Sequence, residues 1–189
     1  MKRLIFLIKI LIFSIIVNGQ EKWQIDNANS NVTFAIQWMQ NSFRTGEFKV
    51  FSGDIITKKS GVLEDAFIDF KIQVTSIDLI ATALMNLVQN EEYLDSRNFP
   101  EIEFKSISIK RKHKNVFEVN GNLSIKGITR PAVFTLEDNG VVEYDGRKYG
   151  ALKATGQFNK SDFKIYGGDK RLGDLILVTA YFETVKVVE

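Results

Sequence analysis

The sequence of 189 residues lacks cysteine altogether and contains only two prolines and one histidine. The absence of cysteine excludes disulfide bonds, thiolate chemistry and a lipoprotein anchored through an acylated cysteine. Because only Pro100 and Pro131 interrupt the backbone donors, strands can pair over long stretches. The fold must therefore be held together by its core alone.

The scarcity of histidine also limits the chemistry. His113 lies in the basic run 110–114, which is typical of a solvated hairpin tip, with anionic lipid head groups as the alternative contact. One isolated histidine supplies neither a Ser-His-Asp triad nor a histidine metal site. The acidic residues at 91–92, 101 and 103 are interpreted as surface carboxylates. No glycine-rich phosphate loop follows a strand. We therefore expect no catalytic residue, no metal and no cofactor.

The N-terminus has the composition of an export signal. Lys2 and Arg3 precede an almost wholly apolar run from Leu4 to Val17, and cleavage is expected after Gly19. The run is too short for a stable membrane span and contains Lys9. The sequence therefore predicts an exported protein, either periplasmic or secreted.

Removal of residues 1–19 leaves a mature chain, 20–189, that we interpret as one domain. The signal contains three of the 25 basic residues and none of the 23 acidic ones, so the mature net charge is −1. A nearly neutral surface argues against nucleic acid or a strongly anionic membrane as the principal partner.

Aromatic and branched apolar residues dominate what is present, including 15 phenylalanines. Apolar side chains alternate with polar ones at 32–38, 68–74 and 117–125, which is the period of a half-buried strand. Further segments of this kind span 133–136, 152–158 and 175–187. About eight strands are expected, the number at which a closed antiparallel barrel can enclose one small ligand.

One segment predicts a strand, a tight turn and a second strand. In Gly121–Pro131, Leu123 and Ile125 share one face, and Gly127 supplies the turn. Pro131 cannot donate to a ladder, so it is expected at a strand start or edge.

The alternation stops between Ile77 and Phe99. Residues 80–94 have helical spacing, and Pro100 prevents the helix from resuming before the next strand. We interpret them as one inserted amphipathic helix that caps a mouth of the barrel, since its apolar face can be buried there. The sequence leaves open whether this helix is a gate for lipid or a fixed lid. Its apolar side is formed by Ala81, Leu84, Met85 and Val88.

The pattern Gly-x-Leu-Ser-Ile-x-Gly-x-Thr-Arg-Pro in Gly121–Pro131 resembles the central signature of the YceI family. The resemblance extends over nearly the whole mature chain: it includes Ile25–Phe34, Gly46–Gly53, Tyr93–Ser106, Phe158–Phe163 and Leu172–Asp174. It implies an exported protein with a lipocalin-like barrel that holds a long isoprenoid-type lipid.

Some positions depart from the family's usual residues. The family commonly has histidines where this chain has Asn29, Trp38 and Leu87, and an Arg-Asp pair where it has Leu84 and Met85. It commonly has an arginine at the position of Lys160 and a glycine at that of Lys164. Polar groups near a mouth are natural partners for a head group, so the resemblance implies altered head-group contacts and an unaltered place for the tail.

The expected ligand-binding surface consists of side chains that alternation directs inward and of the apolar side of the helix. The alternative is that these side chains fill the barrel and leave no cavity. The candidates are Phe34, Ile36, Trp38, Phe48, Phe51, Ile68, Phe70, Ile72, Leu84, Met85, Val88, Phe104, Phe117, Val119, Leu123, Ile176, Val178 and Phe182.

These observations predict an exported lipid-binding protein that carries or sequesters a long apolar molecule, of isoprenoid or fatty-acyl type, without reacting with it. The alternative is a non-catalytic interaction or stress protein with a solidly packed barrel. Its working surface would be Leu175, Leu177 and Tyr181 on the outer face of the last strand, which could also form a homodimer seam. A competing interpretation covers that face with the segment around Trp23.

Overall fold

The computed structural model describes residues 19–40, 42–59, 61–64, 66–79, 89–167 and 171–188. Within these ranges the chain is almost entirely β-structure, with three short 3₁₀ helices, η1 (Asn27–Asn29), η2 (Val74–Ser76) and η3 (Lys160–Phe163). The strands are β1 (Glu21–Ile25), β2 (Asn31–Trp38), β3 (Ser42–Phe48), β4 (Phe51–Thr57), β5 (Phe67–Gln73), β6 (Ile77–Leu79), β7 (Glu101–His113), β8 (Val116–Ile125), β9 (Ile128–Tyr144), β10 (Arg147–Asn159) and β11 (Leu172–Lys186).

These strands form a closed antiparallel barrel with eight strand positions. β1 and β2 both pair with β11, Trp23 opposite Lys186 and Trp38 opposite Leu172, so they are two halves of one bent strand. In the same way, β3 and β4 are the two halves of a second bent strand, and β5 and β6 are the two halves of a third. β7 to β11 follow in order around the wall. The predicted eight-stranded barrel is confirmed.

The three bends lie side by side and are joined by hydrogen bonds. Asp26 caps η1 by accepting from the backbone N–H of Ala28 at 3.0 Å. The side chain of Asn27 donates to the carbonyl of Lys49 at 3.0 Å and accepts from the N–H of Phe51 at 2.7 Å. One asparagine thus satisfies backbone groups that the bend between β3 and β4 removes from the ladder.

The β8–β9 hairpin confirms the strand, turn and strand predicted from Gly121–Pro131. Lys126 and Gly127 both have positive φ, 51° and 70°, which is the geometry of a type I′ turn. Leu123 and Ile125 are buried on the inner face. Pro131 pairs only with Asn122 of β8, because β9 meets β10 from Phe134 onward.

The segment between β6 and β7 differs from its prediction. Residues 77–79 form β6, which pairs with β3, and residues 89–94 form turns instead of the end of a helix. Residues 77–79 precede the predicted helix, and they form a strand because β3 offers a free edge there. Leu84, Met85 and Val88 lie outside the described residues. None of the helices that the structure describes has the length and apolar character needed to cross a membrane.

One end of the barrel is filled by side chains. Trp23, Ile109 and Phe117 are each at most 7 % exposed. Trp23 lies on the same face of β1 as Ile25, which lines the cavity, so its indole points into the barrel. β1 pairs edge to edge with β11 and does not lie over the outer face of that strand, which corrects the competing interpretation. Tyr181 there is 50 % exposed. The homodimer seam stays a prediction.

Candidate ligand cavity

The other part of the barrel interior is hollow and encloses a cavity of about 750 Å³. That volume falls within the range of about 300–1,000 Å³ that is usual for small-molecule sites. Thirteen of the residues predicted from alternation line its wall. They are Phe34, Ile36, Trp38, Phe48, Ile68, Phe70, Ile72, Phe104, Val119, Leu123, Ile176, Val178 and Phe182.

Two predicted lining residues lie elsewhere in the interior. The ring of Phe51 packs against Phe70 and Phe182, with ring centres 5.9 and 6.3 Å away, and those two rings form the wall in its place. Phe117 is buried in the filled end, where the guanidinium of Arg111 lies 4.5 Å from its ring centre. Alternation gives the face of a residue correctly but not its depth along the barrel.

The sequence interpretation missed other lining residues of two kinds. Those on strands follow the same alternation and could have been found from it, including Phe134, Leu136, Leu152 and Ala154. Those on loops carry no periodic signal, because only the tertiary path of the chain brings them to the mouth. The loop residues are Tyr93, Leu94, Ile165, Gly167 and Arg171, and Lys160 lies on η3.

Glycines on the inner face explain why so many phenylalanines leave the barrel hollow. A Cβ atom added at Gly46 would lie 2.5 Å from the ring of Phe34, its partner across the β2–β3 pairing. A Cβ at Gly121 would likewise lie 2.5 Å from the ring of Phe104. The rings thus occupy the space that a side chain would fill on the neighbouring strand. This arrangement keeps them against the wall and out of the lumen.

Residues 89–100 extend along the open end. The carbonyl of Glu92 accepts from the N–H of Gly167 at 2.7 Å, and the carbonyl of Glu91 accepts from Nζ of Lys126. Asp95, only 7 % exposed, accepts from the amide of Asn98 at 3.0 Å and donates its N–H to the carbonyl of Asn90. This part of the mouth is therefore anchored to the loops that follow β8 and β10. The gate or fixed lid predicted from residues 80–88 lies outside the described residues.

Three basic side chains line the cavity, and each belongs to its open end. The guanidinium carbons of Arg44 and Arg171 lie 4.9 and 4.6 Å from the ring centre of Trp38, within cation–π distance. Nζ of Lys160 donates to the carbonyl of Ile165 at 3.2 Å. Among the described lining residues there is no aspartate or glutamate. The charged side chains on the described part of the cavity wall are therefore all cations.

The departures from the family pattern are distributed over several places. Asn29 lies on η1, and its side-chain amide donates to the carboxylate of Asp26 at 2.9 Å. Asn29 does not line the cavity, so the head-group contact that the family resemblance implies for this position is not formed there. Trp38 and Lys160 do line the mouth. Lys164, at the expected glycine position, has φ of 54°, in the left-handed region that favours glycine. Leu84, Met85 and Leu87 fall outside the described residues.

Perturbed pKa values occur at ion pairs on the outer surface. Hydrogen bonding from Lys71, at 2.9 Å, lowers the pKa of Glu101, and the same contact raises the pKa of Lys71. Hydrogen bonding from Arg111 lowers the pKa of Glu64. Because none of these groups lines the cavity, the shifts reflect pairing between strands and give no sign of acid–base chemistry inside it.

Side chains that could perform chemistry are dispersed in the described structure. His113 ends β7 at the exposed tip of the β7–β8 hairpin, as its sequence context predicts. Glu101 and Glu103 lie on the outside of β7, where both pair with Lys71. In the described ranges no group of three or more His, Asp or Glu residues could hold a metal ion.

The sequence model of the YceI-like domain matches residues 23–184. This range includes the whole barrel apart from the first two residues of β1 and the last two of β11. The chain belongs to the YceI family. A YceI protein of Salmonella newport is 28 % identical over 152 residues, 79 % of this chain and 78 % of the relative. A YceI protein of Escherichia coli is 28 % identical over 137 residues, 71 % and 70 % of the two chains.

Several solved structures share the barrel. BcnA of Burkholderia cenocepacia superimposes with a TM-score of 0.73 at 21 % identity, covering 84 % of this chain and 98 % of BcnA. The YceI protein of Campylobacter jejuni gives 0.69 at 20 % identity, covering 79 % and 89 %. A polyisoprenoid-binding domain from Saccharophagus degradans gives 0.60 at 11 % identity, covering 88 % and 98 %. These likenesses establish a common fold.

Proposed function

We propose that this YceI-family protein is an exported, non-catalytic carrier that holds the long apolar tail of an isoprenoid or fatty-acyl lipid inside its barrel. The observation that carries the proposal is the hollow, phenylalanine-lined interior of about 750 Å³. A barrel filled by side chains would instead favour a protein that works through its outer surface. The polyisoprenoid-binding function of the Saccharophagus degradans domain, which has the same fold, supports the choice of ligand.

The cavity wall has the chemistry needed to retain a tail. Burying apolar surface releases about 25 cal/mol per Å², so a long tail supplies its own binding energy without a charged anchor. An empty apolar cavity offers water few hydrogen-bond partners. The free energy of occupying this interior with a tail is therefore favourable, and selectivity follows from tail length and shape.

A carrier is also favoured over an enzyme by the arrangement of polar groups. His113 lies at the tip of the β7–β8 hairpin, away from the cavity wall. The charged groups on the described wall are cations, which can hold a ligand but give no acid and base pair for turnover. Export is supported by the basic and apolar N-terminal segment 1–19.

Native mass spectrometry of the mature protein, before and after extraction with organic solvent, tests this function. We expect a homogeneous adduct of lipid mass that extraction removes, and its recovery as an unmodified lipid. A protein that is empty on isolation and binds no added isoprenoid or fatty acid would refute the carrier function. Hydrolysis of added lipid esters that persists in His113→Ala would refute its non-catalytic character.

A further inference from the structure

We propose that the turn between β2 and β3 docks on a phospholipid bilayer and brings the open end of the barrel against the membrane. Met39 and Phe43 enter the interfacial layer. The inference rests on the proposed carrier function and adds the partner with which the lipid is exchanged. A tail that passes directly between bilayer and cavity avoids exposing its methylene groups to water.

Exposed apolar side chains of this turn are the first argument. Met39 and Phe43 are 55 % and 47 % exposed, at the end of the barrel where the cavity opens. Phe43 also lines the cavity, so the exposed surface and the cavity wall meet at this side chain. Exposed apolar surface that continues into a ligand cavity is typical of an interaction site. A tail that enters or leaves along Phe43 therefore stays in contact with apolar surface.

The backbone holds Met39 in this exposed position. Met39 has φ of 56°, in the left-handed region that a bulky side chain rarely adopts and that glycine or asparagine usually occupies in turns. Its N–H donates to the carbonyl of Arg171 at 2.7 Å, and the hydroxyl of Ser42 donates to the carbonyl of Trp38 at 2.6 Å. Because backbone strain is concentrated at functional sites, a strained residue with an exposed apolar side chain indicates that this turn has a binding role.

The charge of the turn favours a phospholipid surface as the partner. Residues 27–46 contain no aspartate or glutamate, and Arg44 is exposed beside the indole of Trp38. Tryptophan is enriched at membrane interfaces, and arginine reaches from there to the head groups. The β9–β10 hairpin at the filled end also exposes apolar side chains, including Val142, but Glu143 follows directly. The phosphates of a bilayer repel such a carboxylate and do not repel the β2–β3 turn.

The absence of cysteine from the chain allows single labels to locate the contact. Met39→Cys and Val142→Cys each carry a nitrobenzoxadiazole label, whose fluorescence increases and shifts to the blue in an apolar environment. The vesicles contain phosphatidylcholine with a minority of phosphatidylglycerol. We expect the label at position 39 to respond to vesicles and the label at position 142 to remain unchanged. An equal response of both labels, or a response of neither, would overturn the inference.

Flotation with the same vesicles tests the unlabelled side chain. Met39→Asn removes the apolar side chain and keeps a residue that accepts positive φ, so the turn is retained. We expect it to weaken vesicle binding about tenfold, because burial of part of a methionine side chain contributes that much. Met39→Leu should bind like the unsubstituted protein. Val142→Asn, on an exposed valine of the β9–β10 hairpin, is the matched control and should also bind like it.

Membrane docking and lipid carriage can fail separately. Docking is contradicted if the unsubstituted protein does not float with vesicles, if Met39→Asn binds as tightly as the unsubstituted protein, or if Val142→Asn loses as much. Met39 does not line the cavity, so native mass spectrometry should find the same lipid in Met39→Asn as in the unsubstituted protein. Retained lipid together with failed docking leaves the carrier function standing. Absence of lipid from the unsubstituted protein, with no binding of added isoprenoid or fatty acid, refutes the carrier function and with it the exchange proposed here.

Discussion

The ring of Phe134 occupies the space above Gly156, its partner across the β9–β10 pairing. A Cβ atom added at Gly156 would lie closer than 3.0 Å to two carbons of that ring. Phe104 packs on Phe134 with ring centres 5.0 Å apart and nearly perpendicular planes, so the Phe134 ring cannot shift along the wall toward Phe104. The absence of a side chain at Gly156 therefore keeps the Phe134 ring out of the lumen.

We expect Gly156→Ala to reduce the longest tail that the barrel accepts, because the Phe134 ring must turn into the cavity. Overpacking of this kind costs about 1–3 kcal/mol of stability. Chemical denaturation measures the stability, and affinities for fatty acids of increasing chain length measure the capacity. Phe134→Leu in the same chain removes the colliding ring and should restore both. An unchanged chain-length profile in Gly156→Ala would contradict this account of the hollow interior.

Phe70→Asp is expected to abolish lipid retention. Phe70 lines the cavity and packs against Phe182 with ring centres 5.2 Å apart, so a carboxylate there would meet the tail without a partner. Native mass spectrometry measures retention. Phe70→Leu, which keeps the wall apolar, and His113→Ala, at the exposed hairpin tip, should both retain lipid. Circular dichroism establishes that Phe70→Asp folds, and equal retention by a folded Phe70→Asp and by His113→Ala would show that Phe70 does not face the ligand.

Lys164→Gly is expected to stabilise the fold by up to about 1 kcal/mol. Lys164 follows η3 with φ of 54°, where a side chain is strained and glycine is not. The gain is partly offset by the greater freedom of glycine in the unfolded chain. The free energy of unfolding in urea measures the effect. Lys148→Gly, within the extended strand β10, is the control and should destabilise the protein.

The pair of Glu101 and Lys71 predicts a pH dependence of stability. Pairing lowers the pKa of Glu101 below its ordinary value of 4.5, so its stabilisation is present above pH 4.5 and is lost as pH falls through the folded-state pKa. Both side chains are about one third exposed or more, which limits the effect to a few tenths of a kcal/mol.

Glu101→Gln should therefore lower the unfolding free energy above pH 4.5 and converge with the unsubstituted protein in more acidic solution. Urea denaturation at several pH values from 7 to 3 measures the difference. Glu143→Gln, on an exposed stretch of β9, should show no such convergence. A Glu101→Gln deficit that is constant across this range would contradict an ionic origin.

The sequence by itself determined the barrel and the inner face of each strand. Alternation placed Leu123 and Ile125 inward correctly, since a one-residue shift would expose every apolar side chain of β8. The Lys126–Gly127 turn followed from local chemistry, because glycine accepts positive φ without strain. Local periodicity failed at residues 89–94, where helical spacing predicts a helix and the chain forms turns.

Only the tertiary structure decided whether the interior is filled and where its charge lies. Alternation cannot distinguish Phe117, buried in the filled end, from Phe70, which lines the cavity, because both are inward-facing and differ in depth. The pairing of Gly156 with Phe134 and the stacking of Arg44 and Arg171 on Trp38 join residues from separate strands and loops. Such contacts depend on strand register and barrel closure, which bring distant parts of the chain together and leave no periodic signal in it.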